Sequence, residues 1–198
     1  IADGKFIEKW IVDSGFVPMQ NPFCRMPGDA HEGTDPVYGC LAGQGNHSLS
    51  TADVDGDGCM EIIYGAATID HDGTVLYSSK AMRPDGVVAK LGHGDAMHVA
   101  KIDPDREGFQ IFNVFEEGKA APYGYALRDA RTGEAFFGEY YEGDLGRCMI
   151  GDVTDRRGLE VWAMGMRDCR GNALDLPCPS TNMRIYWAAD LTTQFTDG

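Results

Sequence analysis

The chain has 198 residues, 26 of them glycine, and a formal net charge of −14 at pH 7. That charge argues against a nucleic-acid partner, which would need a basic face, and no apolar run approaches the ~18 residues of a membrane span. High glycine and the lack of long helical periodicity point to an all-β protein rich in turns.

The first residues, Ile1-Ala2-Asp3-Gly4-Lys5, lack the basic and apolar regions of a signal peptide. The chain does not open with Met, so a processed or cropped product is expected. Residues 1–12 read as a hairpin remnant, a turn at Asp3-Gly4 followed by a strand over Lys5–Val12. Residues 14–42 carry Pro18, Pro22, Pro27 and Pro36 and read as an irregular insertion or long loop. There are six cysteines. Cys24 with Cys40, and Cys169 with Cys178, flank irregular segments and are candidate disulfides for an oxidising compartment. Cys59 and Cys148 have no local partner and are expected to be free.

The most informative stretch follows. Asp53-x-Asp55-x-Asp57-Gly58, closed by Glu61, places carboxylates at alternate positions around a glycine turn. Calcium takes six to eight oxygens at roughly 2.3–2.6 Å, and such a loop converges them, with the backbone carbonyl of Cys59 as a further ligand. Strand-like flanks, Leu49–Ala52 and Ile62–Tyr64, exclude an EF-hand, whose loop lies between helices. The competing reading is an acidic surface turn without an ion.

The motif recurs in weakened form. Ala52–Asp57 aligns with Ala100–Asp105 and with Gly151–Arg156, starts 48 residues apart (52 to 100) and then 51 (100 to 151), and each is followed by an apolar strand. A period near 50 with several short strands per unit is the pattern of β-propeller blades, with loops near 53–61, 101–110 and 152–160. Strand–turn–strand patterns recur between them, at 67–77, at 125–137 and near Ile185–Asp190. The second and third loops lose carboxylates and gain Arg106 and Arg156, which are expected to take the place of a metal by neutralising the acids there. Both chain ends fall inside a blade, so about four blades of a longer propeller are expected.

Candidate site residues precede equivalent loops. His47 stands before the first, and Gly92-His93-Gly94-Asp95 and His98 before the second. Arg147, before the third, suits carboxylate recognition; its competing role is a salt bridge to Asp144 or Asp152. Glu116, after the Ile111–Val114 strand, is a candidate metal ligand, whereas Glu117 reads as a solvated strand end. His31 and His71 fall in loops and are set aside. Trp10, Trp162 and Trp187 read as core packing rather than sugar platforms.

These blocks, Gly43-Gln44-Gly45-Asn46-His47 through Gly65-Ala66, Leu91–Val99, Asp103–Gly108 and Gly143–Arg147, closely resemble the rhamnogalacturonan lyases of polysaccharide lyase family 11. The resemblance spans roughly residues 43 to 190; Phe115, Met183, Ala188 and Ala189 depart from it. It implies an eight-bladed calcium-binding β-propeller that cleaves the rhamnose–galacturonate backbone of pectin, rhamnogalacturonan I, by β-elimination. Carried onto this chain, Asp53, Asp55, Asp57, Cys59 and Glu61 hold calcium, with His47, His93 and Glu116 as further candidate ligands. His47, Asn46, Asp95 and Arg147 would contact sugar, and His93, His98 or Arg147 would serve catalysis.

The expected protein is therefore a secreted, extracellular or cell-surface calcium-dependent lyase, monomeric, with a polysaccharide as its partner. The rival is a non-catalytic calcium-binding propeller serving as a carbohydrate-binding or adhesion module. Such a module needs the acidic loops but has no reason to collect His47, His93 and Arg147.

Overall fold

A computed structural model describes residues 4–15, 32–163 and 166–174. The strands, in chain order, are β1 (Gly45–Ala52), β2 (Glu61–Gly65), β3 (Ala67–Ile69), β4 (Val75–Ser78), β5 (Lys80–Met82), β6 (Val88–Lys90) and β7 (Met97–Ala100). They continue with β8 (Gln110–Val114), β9 (Tyr125–Asp129), β10 (Ala135–Glu139), β11 (Met149–Gly151), β12 (Glu160–Trp162) and β13 (Met166–Arg167). Among the described residues the only helical pieces are two 3-10 turns, Gly39–Leu41 and Gly118–Ala120. The chain is all-β.

Three sheets carry the repeat. Strands β1-β2-β3-β4 form one antiparallel meander, β7-β8-β9-β10 a second, and β11-β12-β13 a shorter third, while β5 and β6 form a separate hairpin. In each sheet the first two strands are joined by one of the three repeat loops. Strand β1 lies beside β7 and β7 beside β11, so the first strands of successive sheets are neighbours. Among the described residues the sheets do not close on one another.

Burial explains the sequence of the middle sheet. All five residues of β8, Gln-Ile-Phe-Asn-Val, are buried, because both faces of the strand are covered. Phe112 and Val114 pack with Val161 and Ala163 of the third sheet. Ile111 packs on the other side with Ala52, Val54 and Ile63 of the first. Strand β9 adds Arg128, wholly buried, which donates to Gly65 O (2.7 Å), Ser79 Oγ (2.9 Å) and Asn113 Oδ1 (3.1 Å). Burial pushes its guanidinium below the ordinary value, yet the bonds to Gly65 and Ser79 tie the second sheet to the first, and the bond to Asn113 holds the guanidinium within its own sheet.

Two expectations change here. Lys5–Val12 forms no strand among the described residues. Phe6, Ile7 and Ile11 are exposed, while Trp10 and Val12 pack with Leu41, Ala67 and Ile69, and Trp10 donates Nε1 to His71 O at 3.0 Å. Its alternating pattern finds no partner strand to pay for the ordering of the backbone. Arg156, expected to neutralise its own loop, pairs instead with Asp168 at 3.2 Å. Cys40, Cys59, Cys148 and Cys169 are free thiols; Cys24, Cys178, Trp187, His31 and the Ile185–Asp190 segment lie outside the described residues.

Candidate functional site

The first strands of the three sheets have two ends, and each end carries one group of polar residues. The acidic loops follow the C-terminal ends of β1, β7 and β11, while His47, His93, Asp95 and Arg147 lie at or before their N-terminal ends. Five residues of strand, at about 3.3 Å each, separate His47 from Ala52, or roughly 17 Å.

The histidine end is assembled by backbone irregularity. The β1–β2 register shifts between Gly45 and Ser50. A bulge of this kind re-aims side chains, and here it frees Asn46 to pair in parallel with Gly94. His47 N donates to Gly94 O (3.0 Å), Gly94 N donates to Gly45 O (3.3 Å), and Glu116 N donates to His93 O (2.9 Å). Gly94 is required by close approach, since a Cβ there would lie 1.9 Å from Val114 O.

Side chains then converge. His47 Nε2 lies 3.2 Å from Asp95 Oδ1 and 3.8 Å from Glu116 Oε1; His93 Nε2 lies 3.4 Å from Glu116 Oε1 and 3.4 Å from His47 Nε2. Arg147 Nη1 bonds Asp95 Oδ2 at 2.9 Å, so its partner is neither Asp144 nor Asp152. Asp95, Glu116 and His93 are largely sunk, while His47 and Arg147 are exposed. Beside Glu116 a cavity of about 350 Å³ opens, lined by Glu117, Lys119, Glu142 and Asp144 among others.

Two candidates stand apart from this cluster. His98, on β7, places Nε2 3.0 Å from Cys148 O, which ties the second sheet to the segment before β11. Asn46 turns its amide back on its own strand, accepting from His47 N (3.2 Å) and donating to Ser48 Oγ (3.5 Å). Glu117, read as a solvated strand end, accepts from His93 N at 3.2 Å. Sequence reasoning also passed over Gln44. It is wholly buried, accepts from Gly92 N at 2.8 Å and donates to Ser79 O and Ser78 Oγ, both at 2.9 Å. Only its place in the Gly43-Gln44-Gly45 run, three residues before His47, hinted at this.

The acidic loop is the second group. Carboxylate oxygens of Asp53, Asp55 and Asp57 lie within 4.8 Å of one another. Backbone donors hold them there: Gly56 N and Gly58 N donate to Asp53 (2.8 and 3.1 Å), Asp57 N to Asp55 (3.1 Å), and Cys59 N to Asp57 (2.7 Å). An all-oxygen set of this kind fits calcium. The trio His47, His93 and Glu116, also expected as metal ligands, converges within 4.8 Å as well; its imidazole nitrogens are less usual donors to calcium than carboxylate oxygens. Glu61 braces the loop, accepting from Val54 N at 2.6 Å. Gln110 does the same for Ile102 N and Asp103 N (2.8 and 2.9 Å), and Glu160 for Val153 N and Thr154 N (3.0 and 3.1 Å). The brace is thus common to all three repeats, whether or not the side chain is charged. In the second loop, Arg106 pairs with Asp103 at 3.2 Å and stacks 3.8 Å over Phe136, and Arg157 and Arg170 pair with Asp105.

Fold and site together define an all-β repeat protein whose stacked sheets present imidazole, carboxylate and guanidinium groups at one shared rim. The chain belongs to a family: residues 29–198 match rhamnogalacturonan lyase family 11, C-terminal domain. It is 40% identical to the rhamnogalacturonan exolyase YesX of Bacillus subtilis over 98% of this chain and 29% of the relative. Identity to the rhamnogalacturonan endolyase YesW of the same organism is also 40%, over 98% of this chain and 27% of the relative. The YesW crystal structure superposes with a TM-score of 0.64 at 42% identity, covering 74% of this chain and 24% of that one. A Bacillus licheniformis rhamnogalacturonan lyase gives 0.65 at 45% identity, with the same coverage. The chain spans less than a third of the length of these relatives.

Proposed function

We propose that this chain is the part of a secreted or cell-surface rhamnogalacturonan lyase that carries its histidine–arginine site, and that its sheets are blades of a β-propeller. The observation that supports this reading best is the convergence of His47, His93, Asp95, Glu116 and Arg147, drawn from three separate sheets, at one rim beside an open cavity. A scaffold serving only adhesion has no use for that convergence. The substrate would be rhamnogalacturonan I, cleaved by β-elimination at galacturonate.

The reaction breaks the C5–H bond, forms the C4=C5 double bond and expels the oxygen at C4. In this proposal His93 takes the C5 proton in its neutral form, and the Glu116 carboxylate 3.4 Å away favours the imidazolium that results. His47, 3.4 Å from His93, stands within reach to pass a proton to the departing oxygen. Arg147 supplies a guanidinium for the uronate carboxylate, with Asp95 holding it in place. The charge that builds on that carboxylate as the proton leaves is what the arginine stabilises.

Calcium, in this proposal, belongs to the loop of Asp53, Asp55 and Asp57. When bound there it neutralises three converging carboxylates and rigidifies the first repeat. At roughly 17 Å of strand from His47 it acts on the fold and not on the substrate. The test is release of unsaturated uronate, followed by ultraviolet absorbance, from rhamnogalacturonan I, with calcium and with excess chelator. Turnover in calcium supports the lyase reading. A folded protein that binds the polymer without releasing unsaturated product would replace it with the binding-module reading.

A further inference from the structure

The flank of the acidic loop holds a second convergence that is separate from the histidine rim and shares only Asp57 with the three loop aspartates. Ligand atoms of Glu61, Asp70 and His71 all lie within 4.8 Å of one another, and so do those of Asp57, Cys59 and His71. His71 is common to both sets. Its Nδ1 lies 2.7 Å from Asp70 Oδ1 and 3.4 Å from Asp57 Oδ2.

A separate observation points to a ligand. Glu61 is wholly buried. One of its oxygens, Oε2, accepts from Val54 N, but the other, Oε1, has no hydrogen-bond partner. A buried carboxylate oxygen with no donor is costly, and Glu61 is one of the residues that bring a ligand atom within 4.8 Å of His71 and Asp70. The surroundings are held rigidly. Trp10 Nε1 donates to His71 O at 3.0 Å, Asp70 N donates to Thr74 O at 2.7 Å, and Gly73 N donates to Asp70 O at 2.9 Å. His71 itself is partly exposed, which leaves a route for an ion.

We propose that Glu61, Asp70 and His71, with Asp57 at the edge, form a site for a borderline divalent cation of the zinc class, distinct from the calcium position on Asp53, Asp55 and Asp57. The donor chemistry separates the two. Calcium prefers an all-oxygen set, and the three loop aspartates provide one. An imidazole beside carboxylates, with the Cys59 thiol within range of the same imidazole, suits zinc and its neighbours instead. Asp57 lies between the two positions, so the cations would sit on either side of one carboxylate and stiffen the same turn.

The experiment is a Zn2+ titration by calorimetry of the full-length protein saturated with calcium, with Co2+ absorbance as a second readout. The His47–His93–Glu116 trio can also take zinc, so the quantity read is the difference between variants. His71→Ala and Glu61→Gln should each lose one equivalent of zinc, or weaken that equivalent at least tenfold. His98→Ala should lose none. Glu61→Gln keeps the loop brace, since Gln110 performs the same bonding in the second repeat, so its loss of zinc would not reflect unfolding. Equal zinc uptake by wild type, His71→Ala and Glu61→Gln would overturn the proposal. So would displacement of the His71-dependent zinc by a tenfold rise in calcium, which would mean a single shared position.

Discussion

His47 and His93 meet edge to face, with ring centroids 4.8 Å apart, planes at 80° and Nε2 atoms 3.4 Å apart. One ring comes from β1 of the first sheet and the other from the segment before β7 of the second. Neither sheet alone makes the pair. It exists because Asn46 and Gly94 bridge the two sheets in parallel.

That geometry makes a first prediction. His93→Ala should lower uronate release by a factor of about 100 or more, the scale of a lost general base, with thermal and urea midpoints close to wild type, because the backbone bonds of residue 93 to Glu116 N and Glu117 remain. His47→Ala should fall less if it assists the leaving group. His98→Ala should behave oppositely: it removes a contact to Cys148 O, so stability falls before activity does. Steady-state kinetics on rhamnogalacturonan I beside urea unfolding reads all three. A His93→Ala variant with wild-type turnover would remove His93 from the reaction.

A second prediction concerns the loop. Asp55→Asn retains an oxygen to accept from Asp57 N but removes a charge from the proposed calcium site. In chelator its stability should equal or slightly exceed wild type, because one of three converging like charges is gone. In calcium the two should part. A cation at a hundred times its Kd adds about 2.7 kcal/mol to stability, and a tenfold weaker affinity removes about 1.4 of that. Activity of the folded fraction should not change, since the loop lies at the far end of β1 from His47. Thermal midpoints against calcium concentration, with kinetics on the same samples, check this.

How much of this was legible beforehand depends on how local each feature is. Asp53, Asp55 and Asp57 are close in sequence and are held by the loop's own backbone, so their spacing announced them. The three loops and their following strands were visible because a repeat copies local pattern. His71 was set aside for the opposite reason: it reaches the loop only because β3 pairs with β2 and turns back at Gly73. Gln44 is invisible without knowing that Gly92, 48 residues on, returns to it. Lys5–Val12 misled because alternation records only that a segment is able to form a strand, not that a partner edge exists. Arg106 serves only Asp103 of its loop, and Arg157 and Arg170 serve Asp105, because the third sheet stacks on the second, which no local pattern reports.

The Asp105 cluster supplies a prediction with a defined pH direction. Hydrogen bonding from Arg157, then the charges of Arg157 and Arg170, hold the Asp105 carboxyl below its ordinary value of 3.8. A carboxyl lowered in the folded state stabilises the fold above its unfolded pKa, and that contribution is lost as pH falls through the lower folded value. Arg157→Ala should therefore be less stable than wild type at neutral pH and converge with it below about pH 3.8. Because Asp105 and Arg157 are both exposed, the difference should shrink in high salt. Urea midpoints measured across pH at low and high salt read both effects.

Gln44 gives the last prediction. Its side chain joins three segments: Ser78–Ser79 at the end of β4, Gly92 beside His93, and its own strand start. Gln44→Leu keeps much of the volume but leaves Gly92 N buried without its partner, at about 1–3 kcal/mol, while Ser79 O keeps the bond from Leu91 N. The damage should not stop at stability. Gly92 adopts φ +89, and a Cβ there would collide with Glu117, the side chain that receives His93 N. A loosened Gly92 therefore shifts the backbone that aims His93 at Glu116. Gln44 is a positioning residue in this account, so kcat on rhamnogalacturonan I should fall while KM changes little, measured well below the variant's thermal midpoint. A Gln44→Leu protein that loses stability but keeps its kcat would show that Gln44 supports the sheets without setting the histidine.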